Sequence, residues 1–327
     1  MEIESTNDLG IPVSSLRDYH VNGVRGDMRA ALERDGAIVV RQLVGESKLS
    51  RVRDGLLDDL RRVGWLRGNA GNLQANMLLK CVDPEPRYRR TYRRLIANPD
   101  LHDIPHDRSL DKFAALIGIE ELFRHPRVVL RVVFPETPPT PPHQDWTTVQ
   151  GSQEAITVWL PLVNCELDMG PLAVLTGSHL NGERPFIKGS GVGGKVTITN
   201  ATDIWSSASL KLGDAIVFKS LTVHRALPNR TDSLRLSLDF RIQSLAEPIH
   251  CASLLPPMGL KSWEDLYANW TTQTNRYYWR VRHPILDCNE DEIKLGAAQT
   301  IDLQKSRVYS ALLAELAAIR AAQALQN

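Results

Sequence analysis

The hydrophobic and polar positions follow two periods, and the change between them divides the chain. Residues 26–35 carry a helical pattern that stops at the breaker Asp35-Gly36, and Ala37-Ile-Val-Val-Arg41 then reads as a short strand. Further on, Leu49, Val52, Leu56, Leu57, Leu60 and Val63 recur at three- and four-residue steps, the stripe of an amphipathic helix. The first third of the chain is therefore expected to be mostly helical. From Arg127 the pattern shifts to short β-branched runs separated by turn residues, at 128–134, 155–160, 195–198, 215–218 and 234–241. Many short strands at this spacing suggest a sandwich or barrel. Past residue 246, six of the twenty aromatic residues (Trp263, Tyr267, Trp270, Tyr277, Tyr278 and Trp279) crowd into one segment, which must bury its rings. The expectation is core packing, with one or two rings reaching a pocket. Finally, Val308, Leu312, Leu316 and Ile319 fall on one face of an Ala-rich helix after Ser306, which fits docking on the barrel or on a second subunit equally.

Composition narrows the class. The 327 residues have room for either one large domain or two small ones. They are read as a single catalytic domain, 1–327, with a mostly helical part (20–125), a strand-rich core (126–245) and an aromatic and helical extension (246–327). Hydrophobic residues at 43% and charged residues at 24% match a globular protein and exclude disordered, collagen-like and membrane-bundle chains. A net charge of +1 gives no field to hold a polyanion or a membrane surface, so no nucleic-acid or membrane partner is expected. The one dense basic run, Arg87-Tyr-Arg-Arg-Thr-Tyr-Arg-Arg94, reads as a solvated helix face with buried tyrosine bodies in preference to a phosphate or coenzyme A clamp. Cys81, Cys165, Cys251 and Cys288 lie far apart without CxxC spacing, which suggests neither a zinc knuckle nor a small disulfide framework and fits a reduced compartment. Residues 1–15 are acidic and lack an apolar run, and about 18 consecutive apolar residues occur nowhere, so a cytoplasmic location is expected.

Three sequence features carry candidate chemistry. In Pro138-Pro-Thr-Pro-Pro-His-Gln-Asp-Trp146, a proline-rich lead-in delivers His143 and Asp145 two positions apart. On a strand such residues face one side about 6.6 Å apart, close enough to share a cation. Further along, the apolar run of Gly213-Asp-Ala-Ile-Val-Phe-Lys-Ser-Leu-Thr-Val-His224 ends on a histidine. Two histidines and one carboxylate form the facial triad that holds non-haem Fe(II) with open positions, though the same set also holds Zn(II). Eleven residues after His224 comes Arg235-Leu-Ser237, where an arginine fork suits a carboxylate and the serine shares its strand face. Trp146, Thr147 and Arg241 are placed by position as candidates to face a substrate. His179 reads as a loop residue.

With these residues in view, the chain resembles the phytanoyl-CoA dioxygenase family of Fe(II)/2-oxoglutarate-dependent oxygenases. The resemblance covers about residues 28–245 and rests on His143-x-Asp145, on His224, on Arg235 at the family's offset, and on Asp168-Met-Gly-Pro-Leu-Ala-Val-Leu-Thr-Gly-Ser-His179. It implies a mainly β fold with flanking α: a double-stranded β-helix, or cupin-like jelly-roll, with N- and C-terminal helices packed outside. It also implies a metal at the barrel mouth held by His143, Asp145 and His224, with Arg235, Ser237, Trp159 and, by a looser match, Lys80 around 2-oxoglutarate. The implied activity consumes O2 and 2-oxoglutarate, releases succinate and CO2, and hydroxylates or otherwise oxidises an unactivated carbon of a small molecule, with a specialised metabolite the guess for substrate. Retention of Asp145 argues against halogenation. Two alternatives stand beside this: a non-redox hydrolase or isomerase using the same His/Asp/His site, and a binding jelly-roll without turnover. Oligomeric state stays open.

Overall fold

In the computed structural model, which describes residues 5–6, 12–20, 22, 27–69, 71–189, 195–200, 203–257, 262–282, 284–291, 293–294 and 303–325, the N-terminal part supplies strands as well as helices. It contributes β1 (Ser5–Thr6), β2 (Pro12–Ser15), β3 (Asp18–His20), α1 (Asp27–Asp35), β4 (Ala37–Arg41), α2 (Glu46–Arg62), α3 (Pro86–Leu95), α4 (Pro99–Asp103) and α5 (Arg108–Leu116). Then come β5 (Leu122–Arg124), β6 (Val129–Val133), the single-turn α6 (Trp146–Val149), β7 (Ile156–Pro161), β8 (Leu172–Val174), β9 (Phe186–Lys188) and β10 (Lys195–Thr197). The last strands of the barrel are β11 (Trp205–Ser207), β12 (Ala215–Lys219), β13 (His224–Ala226) and β14 (Arg235–Ser244). The larger sheet runs β3-β4-β12-β7-β14, with β5 and β6 also paired to β14; the smaller runs β1-β2-β11-β8-β13. Between β7 and β14 the chain passes repeatedly from one sheet to the other, giving the expected double-stranded β-helix.

All six strand runs read from the sequence, Ala37–Arg41 and the five from residue 128 onward, are strands here. The three-residue strands of the smaller sheet were not anticipated, because a segment such as His224-Arg-Ala226 is too short to show a period of two. The helical stripe is realised on α2, whose Leu49, Val52, Leu56, Leu57 and Leu60 are buried. On α3 the two tyrosines, Tyr88 and Tyr92, are buried while Arg89 and Arg94 pair with Asp83 and Asp59, so the basic run is a solvated helix face.

Alternation along β14 positions the site. Leu236, Leu238, Phe240 and Ile242 join the apolar core that includes Leu49, Val52, Leu56 and Leu60 of α2. The other face presents Arg235, Ser237, Asp239 and Arg241, all buried. β7 follows the same rule, with Ile156, Val158 and Leu160 on the face opposite to Thr157 and Trp159.

The C-terminal extension is held by rings and their polar tips. Trp263 and Tyr267, on α7 (Trp263–Tyr267), cluster with Trp270, Trp279 and Phe123. The indole of Trp270 donates to the Ala97 carbonyl at 2.8 Å, and the Tyr278 hydroxyl donates to that of Arg124 at 2.7 Å. None of the six aromatics lines the barrel cavity, so the expectation that one or two rings reach it is corrected: their area is used in docking. The C-terminal helix α8 (Leu303–Ala324) buries Leu312, Leu316 and Ile319, but Val308, expected on the same face, is 38% exposed. Buried Glu315 accepts the Trp279 indole N–H at 2.6 Å and the Arg280 guanidinium at 2.7 Å. A second correction concerns the cysteines. The two-residue strands β15 (Ile249–His250) and β16 (Leu286–Asp287) pair in parallel, which brings the next residues, Cys251 and Cys288, to a Cα separation of 5.7 Å as a disulfide. That pairing removes the cysteine argument for a reduced compartment. No described helix is long and apolar enough to cross a membrane.

Burial of histidines makes folding sensitive to acid. Loss of hydration pushes His102 and His125 down to about 4 each, and each nitrogen that bonds does so to an oxygen, Ile96 O and Gln243 Oε1. Between the ordinary histidine value of about 6.5 and about 4, the unfolded chain takes up protons that the folded chain refuses. Stability is therefore expected to fall as pH drops through that window, by roughly 1 to 3 kcal/mol per histidine. Unfolding free energies from urea titrations at several pH values should depend less steeply on pH in His102→Gln than in the parent; identical pH dependence would contradict the assignment.

Candidate metal centre

The proline-rich lead-in shapes the first half of the site. Pro138, Pro139, Pro141 and Pro142 carry no N–H, so the segment cannot form a regular ladder with β13. It pairs only where it can. The Ala226 N–H donates to Thr140 O at 3.0 Å, and His143 and His224 exchange both backbone hydrogen bonds at 2.9 Å. The chain then winds into α6, with Asp145 as its N-cap at φ −60°, ψ −33°. The Thr147 and Thr148 hydroxyls support that turn, donating to Gln144 O and Asp145 O. The expected extended His-x-Asp geometry is thus replaced by an isolated bridge followed by a helical turn, and both side chains still converge. Gln144, fully buried, points the other way, donating to Gly182 O and Leu221 O and accepting from the Arg184 N–H.

His143, Asp145 and His224 each place a donor atom so that all three lie within 4.8 Å of one another. The imidazole rings are 4.1 Å apart between centroids. Nδ1 of His143 faces Pro141 O at 2.9 Å and Nδ1 of His224 faces Thr222 O at 3.0 Å. A carbonyl only accepts, so both Nδ1 atoms carry the proton and both Nε2 atoms turn lone pairs inward, the tautomer a metal ligand needs. Burial first, then the neighbouring His224, pushes His143 down to about 3, and burial lowers His224 too, so both rings are neutral at neutral pH. Burial would raise the Asp145 carboxyl, but Arg241 foremost and then the two histidines hold it well below the usual carboxylate range. Two neutral imidazoles and one carboxylate, buried together, fit a divalent transition-metal ion.

The polar face of β14 lies beside this cluster. A cavity of about 40 Å³ opens over the three side chains, walled by Trp159, Phe218, Arg131, Arg235, Asp239 and Arg241. Arg241, placed by sequence as a substrate-facing residue, instead donates to Asp145 Oδ2 from Nη2 at 2.8 Å and Nε at 3.2 Å, and from Nη1 to Asp239 Oδ1 at 2.7 Å. Asp239 also accepts from Arg131 Nε at 3.1 Å. Thr157, opposite Arg241 in the β7–β14 register, adds a 2.6 Å bond to Asp145 Oδ2. Arg131, Thr157 and Asp239 escaped the sequence reading. For Asp239 the sequence holds a partial signal, polar residues at every second position of an otherwise apolar strand, 235 to 241, but that alternation does not say whether the polar face meets solvent or a cavity.

Arg235 differs from its neighbours. It is buried, its Nη1 donates to the Gly170 carbonyl, its Nε has no partner among the described residues, and burial lowers its pKa. Gly170 holds that carbonyl in place through a left-handed backbone, φ 78°, where a Cβ would come within 2.4 Å of Leu227 O. The Arg235 guanidinium lies 5.9 Å from the Trp159 ring centre, and the Ser237 hydroxyl, also buried, has no partner among the described residues. A buried cation with donors unused beside the cluster fits an organic carboxylate such as that of 2-oxoglutarate.

Three expected residues lie elsewhere. Lys80 is exposed, 3.8 Å from Glu136, outside the cavity, so its looser match does not carry into space. Trp146 donates to Glu183, and Thr147 is engaged with Gln144 O; neither lines the cavity. His179 ties its turn to α1, with Nε2 at 3.0 Å from Glu33 O.

Comparison with known proteins places this geometry in context. A curated relative, 1-deoxypentalenic acid 11-beta-hydroxylase of Streptomyces exfoliatus, is 30% identical over 115 residues, spanning 32% of this chain and 41% of the relative's length. Among solved structures, the apo form of the non-heme monooxygenase ThoJ is similar with a TM-score of 0.49 at 19% identity, covering 68% of this chain and 78% of that one. EvdO2 from Micromonospora carbonacea var. aurantiaca, complexed with 2-oxoglutarate, is similar with a TM-score of 0.49 at 21% identity, covering 68% and 92%. The model of the phytanoyl-CoA dioxygenase (PhyH) family matches residues 32–237, a stretch that contains all three converging side chains and Arg235, and the chain belongs to that family.

Proposed function

We propose that the protein is an Fe(II)- and 2-oxoglutarate-dependent dioxygenase that hydroxylates, or otherwise oxidises, an unactivated carbon of a small molecule. The observation that carries this reading is the buried guanidinium of Arg235, bonded to the Gly170 carbonyl and to no carboxylate among the described residues, on the same cavity as the His143, Asp145 and His224 cluster. A non-redox hydrolase or isomerase needs the metal cluster but by itself leaves that cation unexplained.

In this reading Nε2 of His143, Nε2 of His224 and Oδ1 of Asp145 bind iron. Arg235 receives the far carboxylate of 2-oxoglutarate, Ser237 adds a hydrogen bond, and Trp159 forms the apolar wall along its methylenes. Bound together, iron and 2-oxoglutarate supply oxidative decarboxylation by O2, with succinate and CO2 as products. The protein's part is position and dryness: Phe218, 4.4 Å from the His224 ring, and Trp159 shield the centre from water. The similarity to a hydroxylase acting on 1-deoxypentalenic acid supports hydroxylation and a specialised metabolite as substrate, over the part of the chain it covers.

With Fe(II), 2-oxoglutarate and air, the protein is expected to form succinate, and His224→Ala to lower the rate by roughly 100-fold or more, since a lost ligand costs at least as much as a lost partner of a ligand. Full succinate formation by that variant would sink the metal assignment. Arg235→Lys should raise KM for 2-oxoglutarate roughly 10- to 100-fold, the loss of a charge-assisted fork, with a smaller change in kcat. An unchanged KM in steady-state assays would remove Arg235 from the co-substrate site.

A further inference from the structure

Asp145 has two oxygens, and the structure treats them unequally. Oδ2 accepts from the Thr157 hydroxyl at 2.6 Å, from Arg241 Nη2 at 2.8 Å and from Arg241 Nε at 3.2 Å. Oδ1 instead faces His224 Nε2 at 3.9 Å, toward the point where the donor atoms converge. We infer that Arg241 and Thr157 are positioning residues that keep Asp145 a one-oxygen ligand and so hold open a coordination position that a two-oxygen carboxylate would fill. This rests on the metal-centre reading above and deepens it.

The need for such a restraint follows from counting positions. A six-coordinate ion held by two imidazoles and one carboxylate oxygen keeps three positions free, two for a chelating keto acid and one for O2. If Oδ2 also bound, only two would remain, and the keto acid would fill both. An unrestrained aspartate reaches this state by a small rotation about its terminal torsion, which is soft.

Arg241 is built to resist that rotation. Its remaining arm is held by Asp239 at 2.7 Å, and Asp239 is held in turn by Arg131 at 3.1 Å. Thr157 and Arg241 sit opposite each other in the β7–β14 ladder, so both donors to Oδ2 come from one rung of the sheet. Charge neutralisation alone would not need this arrangement, since a lysine would serve it without directing two donors at a single oxygen.

The test counts water on Mn(II), which fills such sites and reports its bound waters through proton relaxation, with the full chain and no turnover. The parent should bind Mn(II) with about three waters. The combined variant Thr157→Val, Arg241→Met and Asp239→Asn removes every donor to Oδ2 without stranding a charge on Asp239. It should bind Mn(II) at least as tightly with one water fewer, a loss of about one third of the inner-sphere relaxation enhancement. Should it fail to fold, Thr157→Val with Arg241→Lys keeps the charge, removes the fork, and should show the same loss. Three waters in the folded variant, or two in the parent, would overturn the inference and leave the metal reading standing. A folded variant unable to bind Mn(II) would overturn it too, because Arg241 would then be assembling the ligand and not limiting it. A parent that binds no Mn(II) would sink the metal reading itself.

Discussion

Two backbone hydrogen bonds, exchanged between His143 and His224 at 2.9 Å each, fix the geometry on which the rest of the centre depends. They fasten the loop entering the barrel to β13, the edge of the smaller sheet, where that sheet has no other strand partner among the described residues. They also bring two imidazoles together whose positions in sequence are far apart. The flanking prolines make this pairing singular: with their N–H groups missing, the segment cannot slide into another register. Each histidine then directs its proton at a carbonyl two residues earlier, Pro141 for one and Thr222 for the other, so ring orientation is set by local backbone.

The larger sheet supplies the complement. Arg235, Ser237, Asp239 and Arg241 lie on one buried face, an arrangement that would cost several kcal/mol per charge if left uncompensated. Compensation is nearly complete along one direction: Asp145, Arg241, Asp239 and Arg131 form an alternating chain of charges. Arg235 is the exception, with a backbone carbonyl and no carboxylate as hydrogen-bond partner among the described residues. A face that balances its other buried charges and leaves one cation with donors unused suits an anion, as proposed above.

Much of this was legible in the sequence, and the reasons for the remainder are specific. The long strands and α2 announced themselves because their periods run for several turns or pleats. His143, Asp145, His224 and Arg235 were found because histidine and arginine are costly inside a barrel and their spacing suggested a common purpose. The roles of Thr157, Asp239 and Arg241 were not, since a polar residue on a strand looks the same whether it faces solvent or a cavity. Burial of both faces of β14 decides the matter, and it depends on helices contributed from elsewhere in the chain. Lys80 failed for the opposite reason: its assignment had no local pattern behind it, and it stands in solvent beside Glu136. The Cys251–Cys288 pair was invisible because a two-residue parallel strand pair, with no periodicity, brings it together.

The central claim is that one cavity holds both a metal on His143, Asp145 and His224 and an organic dianion on Arg235. It is tested most directly without oxygen, by adding Fe(II) and then 2-oxoglutarate and recording the visible spectrum of the parent beside Arg235→Ala. A metal-to-ligand charge-transfer band that appears only with both additions, and that needs far more 2-oxoglutarate in the variant, is the predicted result. No band in the parent, with tight zinc binding in its place, would contradict the account.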